Sequence, residues 1–264
     1  IGTAGDRFDE DHLRMLRAVR FAARFGFDIE PQTAAAIRSH SDSISGVSPE
    51  RIGQELRRMC TGGSLLRMVE LLKDLQLDHS ILGGASSEEA WVRCAHLDAI
   101  YPATSPDRFE PALVAWLLDR HGATGVDAAR CDAVGDRLVL SNQERARLSA
   151  IVHVHSQLGA TWAEASVADR KRLASSAVFS DALLLHAAVN GDDAARVEQE
   201  VAELASTASG LAPKPLVTGA DLIAAGLEPG PGFGQMLDQL YDAQLEGRIK
   251  TPAEGLEMAK SILL

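Results

Sequence analysis

The chain has 264 residues, of which 26 are Lys or Arg and 37 are Asp or Glu, giving a formal charge of −11. That balance excludes a generally basic nucleic-acid coat and broad attraction to anionic membranes, and the composition is that of a soluble globular protein of one large or two smaller domains. The charge is uneven, because 10 basic and 9 acidic residues lie within the first 67 positions, leaving 16 against 28 for the rest.

Helical periodicity with explicit start and stop signals runs almost throughout, no alternating strand is evident, and the expected fold is all-α. The first helix is predicted from Glu10-Asp11-His12-Leu13-Arg14-Met15-Leu16-Arg17-Ala18-Val19-Arg20-Phe21-Ala22-Ala23-Arg24-Phe25-Gly26-Phe27. Each helical residue turns about 100°, so Arg14, Arg17, Arg20 and Arg24 share an arc of roughly 120° and form a shallow spiral. Met15, Leu16, Val19, Ala22 and Ala23 occupy roughly the opposite arc, so one side can bury and the other can bind. Arginine suits phosphates and base edges because its planar fork donates parallel hydrogen bonds and stays charged. An arginine-rich face is also commonly just solvated and loosely paired with acids. Asp11 likewise has two readings, a ligand contact and a helix cap, which are compatible.

Gly26 stops this helix and Pro31 opens another through about Ser39. Ser48-Pro49-Glu50-Arg51 combines an N-cap, a first-turn proline and an acid, starting a helix to about Cys60 that Gly62-Gly63 ends. An amphipathic stretch over Leu65 to Leu75 ends near Gly83-Gly84. From about Ser86 to Ser209 the expected dividers between Ala-rich helices are Pro102, Pro106, Gly122, Gly125, Gly159 and Asn190-Gly191, with no repeat of fixed period. After a loop over 210–215, Thr218-Gly219-Ala220-Asp221 marks a helix start and Pro229-Gly230-Pro231-Gly232 a turn. A helix from Phe233 to Glu246 and a last one opened by Thr251-Pro252-Ala253-Glu254 follow.

Several constellations carry less chemistry than their spelling suggests. Gly2-Thr3 with Asp9-x-Asp11 mimics a two-metal nucleotidyl-transfer signature, but that chemistry needs two carboxylates on one strand face, and only Phe8 has strand character here. These acids fit a polar helix lead-in. His153 and His155 would point about 200° apart on a helix and cannot share a metal. Val114-Ala115-Trp116-Leu117-Leu118-Asp119 resembles the helix bearing a His-Asp metal pair in metal-dependent phosphohydrolases, without its histidine. Arg51 and Glu55 lie one turn apart, where pairing as structural support is expected over ligand contact. Gly230-Pro231-Gly232-x-Gly234, before a helix start, reads as a turn, with phosphate binding as the alternative. No hydrolase elbow, Walker loop or dinucleotide fingerprint is present, so no catalytic residue and no metal ligand is assigned.

The arginine-spiral run, followed by Val47-Ser48-Pro49-Glu50-Arg51-Ile52 and Glu55-Leu56, closely resembles the neck of bacterial class II tRNA nucleotidyltransferases (CCA-adding enzymes) and poly(A) polymerases. Thr218-Gly219-x-Asp221-Leu222-Ile223-x-x-Gly226-Leu227-x-Pro229-Gly230-Pro231, with Ala243-Gln244-Leu245-Glu246-Gly247, resembles the C-terminal part of the same enzymes. The resemblance implies a neck at 1–62, a helical body at 63–210 and a tail at 211–264. It places Asp11 and Arg14 against the Watson–Crick edge of an incoming CTP or ATP, with Arg17 and Arg20 completing the nucleotide pocket. Glu10 would orient the arginine, and Arg24, Arg51 and Glu55 would support. A carboxylate accepts from an exocyclic amine and a guanidinium donates to ring nitrogen or carbonyl, so the pair can favour cytosine and adenine. His12 departs from a frequent proline at a position that only begins the helix.

The resemblance also implies an N-terminal head carrying the Mg2+-binding carboxylates and the triphosphate site, which this sequence lacks. The expected reading is therefore the nucleotide-selecting and RNA-binding part of a template-independent transferase acting on tRNA or another RNA 3′ end, inactive on its own. Poly(A) addition and a non-catalytic RNA-binding module are the alternatives. The start at Ile1 is expected to mark a piece of a longer chain. Three widely spaced cysteines (Cys60, Cys94, Cys131), and the lack of a signal segment or membrane-length apolar run, point to a cytoplasmic setting.

Overall fold

A computed structural model describes residues 3–84, 90–230 and 232–262, and among these every regular element is helical. The elements are α1 (Ala4–Glu10), α2 (Leu13–Phe25), α3 (Pro31–His40), α4 (Pro49–Cys60), α5 (Leu65–Asp74), α6 (Leu77–Leu82), α7 (Val92–Ile100), α8 (Phe109–His121), α9 (Ala128–Arg137), α10 (Asn142–Ala160), α11 (Val167–Ala174), α12 (Phe179–Ala187), α13 (Gly191–Ser206), α14 (Gly219–Ala224), α15 (Phe233–Leu245) and α16 (Pro252–Ile262). They fall into two compact units, one of residues 1–158 and 180–191, the other of 159–179 and 192–264. Residues 180–191 pack with the first unit, while the segments on either side of them belong to the second.

In the first unit the apolar arc of α2 is buried as its periodicity requires: Met15, Leu16 and Val19 are fully covered, with Ala22 and Ala23 nearly so. Each large side chain contributes about 1.5–3 kcal/mol by leaving water, which makes this arc the main reason the helix docks on α4 and α5. The helix begins at Leu13, three residues later than the spiral suggested, because residues 4–10 form the separate helix α1, anchored by Phe8. Gly26 ends α2 in the left-handed region at φ 69°, where its N–H reaches the Ala22 carbonyl.

The centre of the unit is α8, covered on nearly all sides, as a helix apolar all round must be. Its charged residues are committed to other elements. Asp119 accepts from the backbone N–H groups of Arg93 (2.9 Å) and Cys94 (3.0 Å) and from Arg93 Nη1 (3.1 Å), so it caps α7. Arg120 pairs with buried Asp78 and donates to the carbonyls of Gly83 and Gly84. Just before α8, Arg108 pairs with Asp98, which in turn accepts from the N–H groups of Leu65 and Leu66 at the start of α5. The phosphohydrolase-like stretch is thus a structural core helix. His155 is likewise buried, its ring edge-on to His186 at 6.0 Å; burial, then Arg93 and His186, lowers it to about 4 and keeps it neutral, while His153 faces solvent.

Gly53 lets α4 approach the end of α9, since a Cβ there would lie 2.2 Å from the Leu138 carbonyl oxygen. Next to this contact, Arg57 holds Glu144 with two bonds of 2.6 and 2.9 Å. Ser141-Asn142-Gln143-Glu144 is also a capping box for α10: Ser141 N–H donates to Glu144 at 2.7 Å, and Glu144 N–H donates to the Ser141 hydroxyl at 3.3 Å. Gly159 marks the end of α10 as expected: the helix stops one residue later, at Ala160, and α11 starts at Val167.

In the second unit, Val217, Leu222, Met236, Leu240, Ala243, Ile249 and Ala259 form the core shared by α14, α15 and α16. Thr218 and Asp221 make the expected capping box, and Glu254 bonds back to Thr251. Trp162 is buried, and its indole N–H donates to Glu200 at 2.9 Å.

Two predictions follow from α9 and α10. The C-terminus of α9 closes with Val139 N–H on the Asp136 carbonyl and Leu140 N–H on the Gly135 carbonyl, a Schellman closure that puts Val139 at φ 48°. A β-branched residue there is strained by about 1–2 kcal/mol, more than glycine loses in chain entropy, so Val139→Gly should raise stability by about 0.5–1 kcal/mol in denaturant melts. The Arg57 bonds hold the Glu144 carboxyl down to about 2, against 4.5 for a free carboxyl. Its contribution is therefore complete above pH 4.5 and lost as pH falls toward 2; Glu144→Gln should cost about 1–3 kcal/mol at pH 7 and flatten that stretch of the stability profile.

Candidate nucleotide-selecting face

Three carboxylates decide what each arginine of the spiral can do. Glu10, the last residue of α1, accepts from Arg7 Nη1 at 2.9 and 3.0 Å and from Arg14 Nη1 at 2.5 Å. Arg14 Nη1 also donates to the Arg7 carbonyl at 2.9 Å, so α1 and the first turn of α2 are clamped around one guanidinium nitrogen. The bonds from Arg14 and then Arg7 hold the Glu10 carboxyl below the usual range.

Asp11 sits between the helices in extended backbone. Its Oδ1 accepts from Leu13 N–H at 3.2 Å, and its two oxygens accept from Arg51 Nη2 at 3.2 and 3.0 Å. Partial burial disfavours its charge, but the bonds from Arg51 and Leu13 outweigh it and the carboxyl is held low. Asp11 therefore braces the start of α2 and ties it to α4. His12 occupies the cap position without a side-chain cap bond, and Ser48 also lacks one at the start of α4.

Glu55 is the third acid, 1% exposed on α4. Arg20 Nε lies 3.0 Å from its Oε1, and Arg58 Nη1 lies 3.3 Å from its Oε2. The expected Arg51–Glu55 pair is thus replaced by Arg51–Asp11 and Arg20–Glu55. Glu55 points inward under α2, whereas Arg51 faces the exposed loop at Asp11.

The structure brings Asp11, Arg14, Glu10 and Arg51 together at the α1–α2 junction, with Arg17 next along the exposed side. Arg17 makes no hydrogen bond or ion pair among the described residues. Arg20 is mostly buried and committed to Glu55, with its guanidinium 4.6 Å over the Phe21 ring. Arg24 is exposed and lies 5.5 Å over Phe25. Phe21, Phe25 and Phe27 form a solvent-facing stack, with centroid spacings of 6.1 and 5.5 Å, that was not singled out in the sequence, although Phe21 and Phe25 are one helical turn apart.

The junction keeps hydrogen-bonding positions that face solvent. A carboxylate offers about four acceptor positions, of which Asp11 uses three; a guanidinium has five N–H donors, and both bonds of Arg14 use Nη1, leaving Nη2 and Nε. One acceptor beside a two-nitrogen donor edge is the complement of a base that presents an amine next to an acceptor. No cluster of three His, Cys, Asp or Glu side chains able to hold a metal occurs among the described residues. Asp9 lies in helix α1, away from any strand, and Gly2 lies outside the described residues. The Gly230 motif turns into α15 through a bond from Phe233 N–H to the Gly230 carbonyl; Pro231 lies outside the described residues. Among the described residues, no helix is long and apolar enough to cross a membrane.

The fold is similar to that of the helical region of solved CCA-adding enzymes. The chain matches the C-terminal region of the bacterial CCA-adding enzymes. A family model described as the probable RNA- and SrmB-binding site of polymerase A matches residues 26–86. The CCA-adding enzyme of Limosilactobacillus fermentum is 28% identical over 274 aligned positions, covering 100% of this chain and 62% of that protein. The enzyme of Lacticaseibacillus paracasei is 47% identical over 62 residues, 24% of this chain and 16% of that one. Among solved structures, the Bacillus stearothermophilus CCA-adding enzyme in complex with CTP aligns with a TM-score of 0.70 at 22% identity, covering 99% of this chain and 65% of that chain. The Thermotoga maritima enzyme complexed with tRNA aligns with a TM-score of 0.63 at 18% identity, covering 97% and 62%. The chain spans less than two thirds of the length of each of these relatives.

The different surroundings of Arg17 and Arg20 separate binding from support. Arg20→Ala strips the buried Glu55 of its main partner and should cost about 3–5 kcal/mol in chemical denaturation, whereas Arg17→Ala should stay within about 0.5 kcal/mol of the wild type.

Proposed function

We propose that this chain is the nucleotide-selecting and RNA-binding part of a template-independent nucleotidyltransferase that adds or repairs the 3′-terminal CCA of tRNA. The observation that carries the proposal is the junction of α1 and α2, where Leu13 N–H and Arg51 brace Asp11, Glu10 holds Arg14 through Nη1, and Arg14 is near enough for its charge to help lower the Asp11 carboxyl. In this reading Asp11 accepts from the exocyclic amine of cytosine or adenine, and Arg14 donates to the adjacent ring nitrogen or carbonyl. Glu10 and Arg51 fix the two groups, and Arg17 extends the face toward the triphosphate. Arg20 acts through Glu55 as a positioning residue, and Arg24 lies at the far end of the spiral.

The parent reaction is attack of an RNA 3′-hydroxyl on the α-phosphate of CTP or ATP. Its Mg2+ would be held by carboxylates of a separate head domain, and the residues of this chain would supply selection of the nucleotide. Relatives named for CCA addition favour this over poly(A) addition. A reducing cytoplasm suits the three cysteines, all buried and free, two of them with thiols pushed well up by burial.

Arg14→Ala in the full-length parent should abolish the preference for CTP and ATP while leaving the fold and melting temperature nearly unchanged. Single-nucleotide incorporation on tRNA lacking its 3′ end reads this directly, and unchanged incorporation of CTP and ATP with undiminished selectivity would refute the assignment.

A further inference from the structure

The second unit contains a cavity of about 520 Å3 that is independent of the arginine spiral. Lys171, on α11, reaches it with a side chain that is only 1% exposed as a residue. Its ammonium donates to the hydroxyls of Thr207 (2.9 Å) and Ser209 (2.6 Å), the segment just after α13. Both acceptors are neutral, and among the described residues no carboxylate pairs with this ammonium. Lysines are almost never fully buried without a charged partner, because an ammonium removed from water loses far more solvation than two hydroxyls restore. The third N–H of Lys171 is also uncommitted among the described residues.

The rest of the lining repeats the sign. Lys214 and Lys250, both exposed, also line the cavity, and neither is in an ion pair among the described residues. The lining acid, Glu246, is taken by Arg248 at 2.6 Å. Leu216 and Ile249 supply apolar wall, and the cavity is large enough for a small organic molecule or one nucleotide unit. Gln244, buried at the end of α15, holds the lining in shape: it accepts from Leu216 N–H and donates to the Lys214 carbonyl, both at 2.8 Å.

We propose that this cavity is a phosphate-binding site, in which Lys171 and the Ser209 hydroxyl meet the phosphate oxygens, Lys214 and Lys250 neutralise its second charge, and the apolar wall receives the sugar or other carrier. A phosphate is favoured over a carboxylate because three ammonium groups without counter-ions match a dianion. The phosphate is a monoester, either the 5′-terminal phosphate of an RNA or that of a free phosphate ester. Burial lowers the Lys171 pKa, and a bound dianion would oppose that.

The test titrates the full chain with sodium phosphate against sodium chloride at matched ionic strength, following the melting temperature. The expected result is a saturable rise with phosphate alone. Lys171→Met, which keeps the length of the side chain and removes the charge, should weaken apparent phosphate affinity about tenfold or more. Lys214→Ala with Lys250→Ala should weaken it comparably through exposed side chains, so the proposal stays testable if the Met variant folds poorly. Absence of a phosphate-specific rise in the wild type, or an unchanged rise in the variants, would overturn the site. Competition then separates the sources, both of which uphold the proposal: displacement of phosphate by a tRNA acceptor stem bearing a 5′-phosphate assigns a terminal RNA phosphate, and displacement by adenosine 5′-monophosphate but not by the stem assigns a free ester.

Discussion

The Glu55 carboxylate is buried under α2, and it must have a cation there. Removing one member of a buried pair costs about 3–5 kcal/mol, more than any single contact on the exposed side of the helix returns. Arg20 answers that demand, with Arg58 as a weaker second partner. The apolar arc decides which side of α2 faces inward, since Met15, Leu16 and Val19 together contribute several kcal/mol. The Arg20–Glu55 pair adds what apolar burial leaves loose, a specific axial position of α2 against α4. With that position set, Arg14 and Arg17 are carried to the exposed side, and Arg51 arrives from α4 at the right height to bind Asp11.

The same economy explains why four arginines on one arc are not equivalent. Arg20 is structural, Arg14 is half committed, Arg17 is uncommitted, and Arg24 covers an aromatic ring. A recognition edge needs donors that are fixed in direction and still unsatisfied, and Arg14 alone meets both conditions, because Glu10 and the Arg7 carbonyl hold one nitrogen while leaving the others. Asp11 is its counterpart, braced by Leu13 N–H and Arg51 with one acceptor position left. Helix α1 is therefore part of the site: without it Arg14 would lose both of its clamps.

Much of this was legible in the sequence. The all-helical fold, the inward arc of α2, the Gly26 stop and the Thr218 and Thr251 starts all rest on local patterns that local physics enforces. The split between α1 and α2 was not, because Asp11-His12 carries no breaker and the interruption is made by tertiary pairing of Asp11 to Arg51. Nor was the exchange of partners among Arg20, Arg51 and Glu55, since helical spacing names possible neighbours within a helix and says nothing of a second helix packed across it. The Ser141–Glu144 capping box could have been read from its Ser-x-x-Glu spelling. Buried Lys171 could not, because lysine in a helix normally signals solvent.

The central claim is that the Asp11 carboxylate reads the exocyclic amine of the incoming base. Its most direct test is the ratio of CTP to UTP affinity in the full-length parent carrying Asp11→Asn, measured by equilibrium binding. An amide both accepts and donates, so it can meet the carbonyl of uracil as well as the amine of cytosine. The account predicts that the preference for CTP over UTP collapses by about tenfold or more, mainly through gained UTP binding. A preference equal to that of the wild type, in a variant with unchanged stability, would contradict it.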